Sequence, residues 1–137
     1  MTENQPFSII GITMSITDGK ERFVKLVNHL GLYLSDDDRA ILDKYETMTD
    51  WERPQIMAYL NDECYINKRG YLLAIVDDCV YCCHEACYRD EKFYCNGCIP
   101  TETFTDEGLM SHLGKIINDY KKHQVKKKIA ELNDMFD

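Results

Sequence analysis

The spacing of apolar positions changes several times along the chain, and each change predicts an element. Ile10-Gly11-Ile12-Thr13-Met14-Ser15-Ile16-Thr17 alternates apolar and polar residues, the period of a half-buried strand. Asp18-Gly19 closes it as a turn. From Lys20 the period becomes helical, with Phe23, Val24, Leu26, Val27 and Leu30 on one face and Gly31 at the end. Ser35 is placed to cap a second helix. Asp36, Asp37 and Asp38 sit at the positive end of its dipole, and Ile41, Leu42, Tyr45 and Met48 form its stripe. A third helix is expected from Thr49 or Asp50, with Pro54 in its first turn. Trp51, Ile56, Met57 and Leu60 would be its apolar residues and Trp51 a core anchor.

Asn67-Lys68-Arg69-Gly70 is a turn signal. The continuous apolar run Tyr71 to Val76 predicts a buried strand, the natural partner for residues 10–17. Lys92-Phe93-Tyr94 is a candidate short strand. After Pro100, Thr105-Asp106-Glu107 opens a long helix whose first stripe is Leu109, Leu113, Ile116, Ile117 and Tyr120. Val125, Ile129, Leu132 and Phe136 make a second stripe offset from the first. That offset implies a break near His123 or a tail that leaves the core.

Between these segments the chain states a chemistry. Six of its seven cysteines lie between residues 79 and 98, as Cys79-Val80-Tyr81-Cys82 and Cys95-Asn96-Gly97-Cys98 with Cys83 and Cys87 between the pairs. Two C-x-x-C turns can aim four thiolates at one tetrahedral Zn²⁺. The first-choice ligands are Cys79, Cys82, Cys95 and Cys98. Cys83, His84, Cys87 and Cys64 are additional candidates. A pair made by Cys83 and Cys87 is the alternative for one metal, and a two-zinc cluster would need Cys64 and a histidine such as His84 or His112. An iron–sulfur cluster ranks third, and disulfides or buried free thiols are the non-metal alternative.

The C-x-x-C, twelve-residue gap, C-x-x-C layout is similar to zinc ribbons and treble-clef fingers, and the Cys95-Asn96-Gly97-Cys98 turn resembles the second knuckle of some treble clefs. The likeness covers about twenty residues and implies a structural metal. Cys83-His84-Glu85 followed by Cys95 and Cys98 also has the residue types of a zinc deaminase, but nine residues between Glu85 and Cys95 are too few for the intervening helix and strand. No H-E-x-x-H, G-x-S-x-G or phosphate-binding glycine loop occurs.

Charge narrows the partners. The chain has 137 residues and a net charge of −8, which argues against indiscriminate binding to phosphate backbones. Lys121, Lys122, Lys126, Lys127 and Lys128 form the one basic cluster of note, read first as a solvated face and second as a contact for nucleic acid or an acidic partner. No apolar run is long enough to span a membrane, and the first residues lack the basic start of a signal peptide. An intracellular protein, cytoplasmic or nuclear, is therefore expected, with cysteines free for metal.

The fold expected is α+β, mainly α: a small helical domain with a short sheet and an inserted zinc-ribbon-like or treble-clef-like module. Residues 1–78 would form the core, 79–98 the zinc module, and 99–137 an amphipathic helix packed on the core with a basic segment at 121–128. The function expected is a non-enzymatic, zinc-stabilised adaptor, regulator or assembly protein acting by protein contact, with one zinc or two. The alternatives are a nucleic-acid-associated accessory factor using the finger and the lysines, and a small metalloenzyme.

Overall fold

The computed structural model describes residues 7–9, 12–14, 19–49 and 51–136. It is a mixed fold of helices and one four-stranded antiparallel sheet, with a separate two-stranded hairpin. The hairpin is β1 (Phe7–Ile9) and β2 (Ile12–Met14), and it lies against the first and last helices. Ile10, Gly11 and Ser15 to Thr17, from the predicted first strand, are outside the described residues.

Helix α1 (Gly19–Leu30) buries Phe23, Leu26 and Val27, as the period predicts, and Gly31 ends it with φ +66°. Helix α2 (Asp36–Asp43) is capped by Ser35, whose Oγ accepts from the Asp38 N–H at 3.1 Å. A 3₁₀ turn follows at Tyr45–Thr47.

The third predicted helix does not form. Glu52 closes one turn by accepting from the Thr49 N–H (2.9 Å) and Oγ1 (2.7 Å). Pro54 then disfavours helical geometry at Arg53, and the chain extends. Ile56 and Ala58 point inward alternately from strand β3 (Ile56–Ala58). Trp51 is 85% exposed and anchors no core. Arg53 holds this turn in place. Its Nε donates to the Tyr45 carbonyl (2.8 Å) and its Nη1 to Asp77 (2.7 Å). A short helix α3 (Asp62–Ile66), capped by Asn61, leads to β4 (Leu73–Val76).

Strand β4 buries Leu73, Ala74 and Ile75, as the apolar run predicts, while Val76 at its end is exposed; its partners differ from the expectation. It pairs with β3 on one side and β5 (Cys79–Arg89) on the other, while β2 pairs with β1. Strand β5 turns through Asp90-Glu91, both at positive φ (+52° and +65°), into β6 (Lys92–Pro100). Two residues at positive φ match the right-handed twist of a tight hairpin. The sheet order is β3-β4-β5-β6.

Pro100 ends β6, and a 3₁₀ turn precedes α4 (Asp106–Phe136). Thr105 Oγ1 accepts from the Gly108 N–H at 3.1 Å, the cap that the sequence marks. The helix runs without interruption past His123. Its first half contributes Leu109, Met110, Leu113, Ile116 and Tyr120 to one core shared with α1, β4 and β5. No helix among the described residues is long and apolar enough to cross a membrane.

Candidate functional site

Both C-x-x-C pairs lie within β5 and β6 and not in knuckle turns. Side chains three apart on a strand point to opposite faces. Cys79 is accordingly exposed and Cys82 fully buried. The ladder pairs Cys83 with Cys98 and Ala86 with Cys95. Between them Gly97 takes φ +77°, the left-handed geometry expected of Asn-Gly, and lies beside His84.

This kink gathers a different set of sulfurs from the first choice. Cys83 lies within reach of Cys95, and the Tyr71 hydroxyl within reach of both Cys95 and Cys98, while the neutral Cys83 thiol donates to the Glu85 carbonyl oxygen at 3.4 Å. Cys82 is close enough to feel the charges of Cys95 and Cys98. Of the four first-choice ligands, Cys95 and Cys98 lie beside Cys83, whereas Cys82 points to the opposite face from Cys83 and Cys79 pairs with Val76 at the start of β5. Cys87 pairs with Tyr94 toward the far end of the hairpin. Cys64 is buried in α3, 3.8 Å from Arg69 Nη2, and His84 is exposed. His112 Nε2 sits 2.7 Å from the Cys83 carbonyl oxygen. Among the described residues no group of three or more His, Cys, Asp or Glu side chains is placed to hold a metal ion.

The proton affinities within the cluster are pulled apart. Ionised Cys95 accepts from Cys83 first, and also from Tyr71 and the His84 N–H, so its pKa lies below the ordinary thiol value despite burial. When neutral, it donates instead to the Gly97 carbonyl at 2.9 Å. Its partner Cys83 is pushed up, chiefly by that same hydrogen bond and then by burial. Cys82 is pushed up to about 12, by burial and by the neighbouring sulfurs. Burial likewise raises Tyr71, and the hydrogen bond to Cys98 adds to it. Two close sulfurs sharing one proton lose the first readily and the second with difficulty. An open hollow of about 360 Å³ adjoins the cluster, lined by Gln55, Tyr71, Ala74, Val76, Tyr81 and Cys98.

Tyr71 stands in the sequence only as the first residue of the apolar run. Its signal was weak, because its hydroxyl acquires a role only when β6 crosses beside it. Cys83, by spacing only an additional candidate, is central to the cluster. Adjacent Cys82 and Cys83 cannot share one direction on a strand, yet both are fully buried, so the strand is enclosed at that point.

The second feature is the far half of α4. Its last aromatic contacts with the body are a T-shaped pair of Tyr120 with Phe93 (6.1 Å between centroids) and a stack of His123 on Tyr88 (3.8 Å). Beyond Lys127 every described side chain is exposed, Ile129, Leu132 and Met135 included, and Val125 just before it is exposed as well. Lys121, Lys122, Lys126 and Lys128 are exposed, while Lys127 is half-buried. Lys121, Lys122, Val125 and Lys126 line a shallow groove of about 360 Å³. No protein-family model, curated protein or solved structure matches the chain.

Proposed function

We propose that the protein works without catalysing a reaction, as an adaptor or assembly protein whose contact element is the projecting half of α4. The observation that carries this is the exposed row Val125, Ile129 and Leu132 on a helix that has already left its own core. An isolated helical extension of this length is marginal in water, and a partner that buries its apolar row would stabilise it. Its own charges do not help: α4 has no base in its last turn, and Glu131 and Asp134 lie toward its negative end.

The test is photo-crosslinking of the full chain in its native cells. A crosslinking residue would replace Val125 or Ile129, with the exposed Lys115 as control. Discrete adducts at 125 and 129, absent at 115 and lost with Leu132→Asp, are expected. No adduct at either position, or equal adducts at 115, would remove this function.

A second reading retains zinc, one ion per chain with two as the alternative, as a support for the hairpin rather than a reaction centre. It is favoured by the approach of Cys83, Cys95 and Cys98 around Tyr71, with Cys82 adjacent. A zinc ion would replace the protons these sulfurs share and add its binding energy to folding. Native mass spectrometry before and after a chelator decides it. Retained zinc, with loss of the fold on chelation, supports this reading; a metal-free folded chain removes it.

A further inference from the structure

The exposed row on α4 has a definite period. Val125, Ile129 and Leu132 are spaced by four and then three residues, and one more step of four reaches Phe136 in the sequence. This is the alternation of a coiled-coil seam, narrower than the broad apolar face of a helix that lies in a membrane surface. At about 100° per residue, the row is rotated by roughly 150° from the Leu109–Leu113–Tyr120 face. The body therefore cannot cover it, and the burial agrees.

The charges beside this seam are of one sign. In heptad terms Lys121 and Lys128 occupy one flank, Lys126 occupies the other, and Lys122 continues the seam toward the body. Glu131 and Asp134 fall on faces turned away from it. The stems of Lys121, Lys122 and Lys126 wall the groove above Val125.

We propose that this seam docks an acidic amphipathic helix of a partner protein, with apolar residues at heptad spacing and Asp or Glu on both flanks. The proposal rests on the contact function above and names the chemistry of the partner. A second copy of this chain matches less well. Parallel pairing would set Lys121 against Lys126 of the second copy, and antiparallel pairing would set the flanking lysines against Asn133 and Met135, with no carboxylate gained. An anionic membrane or nucleic acid is extended enough to meet the acidic body as well as α4, since residues 1–114 carry ten bases and twenty acids, whereas a single helix need meet only the seam. An acidic helix satisfies both the apolar row and the lysines.

The experiment uses the full chain and two synthetic helical peptides. Both carry leucine at the two seam positions; one has Glu on its flanks and the other Lys. Fluorescence anisotropy should show the Glu peptide binding at least about tenfold more tightly, with the preference shrinking at high salt. Ile129→Asp should abolish binding. The combined Lys121→Glu, Lys126→Glu and Lys128→Glu variant should prefer the Lys peptide. All four positions are exposed, and unchanged thermal melts would confirm that the variants fold.

Equal affinity for the two peptides, or none for either, would overturn the proposal. So would a concentration-dependent dimer, uptake by anionic vesicles or binding of a single-stranded oligonucleotide, if Ile129→Asp or the charge reversal removed it and the Glu peptide did not bind. Crosslinks at 125 and 129 without a peptide preference would leave the contact function standing and remove only the acidic helix.

Discussion

The Asn61 side-chain amide donates to the Tyr120 hydroxyl at 2.6 Å, joining the start of α3 to the last core residue of α4. The same side chain caps α3, its Oδ1 accepting from the Cys64 N–H at 2.9 Å. One residue thus holds both a five-residue helix and the point from which α4 departs. Asn61→Ala should destabilise the protein by about 1–3 kcal/mol, since it removes a cap and a partly buried hydrogen bond together. Tyr120→Phe, which removes only the second, should cost about 1 kcal/mol. Urea unfolding of both variants checks the order, and a larger loss for Tyr120→Phe would show that the cap contributes little.

Gly70 is at φ +48°, and a Cβ there would lie 2.7 Å from the Phe93 ring and 2.9 Å from the Cys95 nitrogen. Gly70→Ala combines backbone strain with a clash beneath the thiol cluster and should cost about 2–4 kcal/mol. Gly114→Ala is the contrasting case. Its Cβ would meet nothing within 4 Å, in a helix interior, so a gain of up to about 1 kcal/mol is expected. Equal effects of the two substitutions in denaturant titrations would contradict the packing described around Phe93.

Thiol labelling should follow burial and proton affinity together. At neutral pH iodoacetamide should reach Cys79, Cys98 and Cys95 well before Cys64, Cys82 and Cys83, which are fully buried. Tyr71→Phe removes one donor to the Cys95 thiolate, so its reactivity should fall and its pH profile move up. Peptide mapping by mass spectrometry reads both effects. Labelling of Cys83 as early as Cys98 would mean that the hairpin opens there.

Stability should fall in alkali. Burial first, with the neighbouring sulfurs, pushes Cys82 up to about 12, and burial first, with Asp119 adding to it, pushes Tyr88 up to about 12. In the unfolded chain these groups lose their protons nearer their ordinary values, about 9 for the thiol and about 10 for the phenol. The folded chain therefore holds more protons across that interval, and the slope of stability against pH is negative. Stability from Cys82 is fully present below about pH 9 and is lost as pH rises toward about 12. Urea midpoints measured from pH 8 to pH 11 should decline, and Cys82→Ala should flatten the decline. A midpoint independent of pH would contradict the buried, protonated thiol.

Local signals carried much of the helical half of the fold. The period from Lys20 and the glycine at 31 mark α1. Ser35 caps the helix that its position marks, and Thr105 caps the helix that opens at Thr105-Asp106-Glu107, because a side chain three residues from an amide needs no tertiary partner to reach it. At residues 49–60 the local signal is ambiguous and a tertiary contact decides it. Ile56, Met57 and Leu60 satisfy a helical period, but Ile56 and Ala58 also satisfy an alternating one, and pairing with β4 selected the latter. The hairpin turn at Asp90-Glu91 carries no Gly or Asn to announce its positive φ values, so nothing local marked β5 and β6 as one ladder.

The sequence by itself determined that the chemistry is concentrated between residues 79 and 98, and that the apolar row Val125, Ile129, Leu132 and Phe136 is offset from the core face of its helix. Both are consequences of spacing along one strand of backbone. Only the tertiary structure decided which sulfurs meet. In a knuckle, residues three apart converge; in a strand they diverge, so Cys79 and Cys82 separate, and Cys83, Cys95 and Cys98 of β5 and β6 come together with Tyr71 from the segment before β4. That choice depends on strand register and on the left-handed turn at Gly97, which pairing between distant segments sets and residue spacing does not.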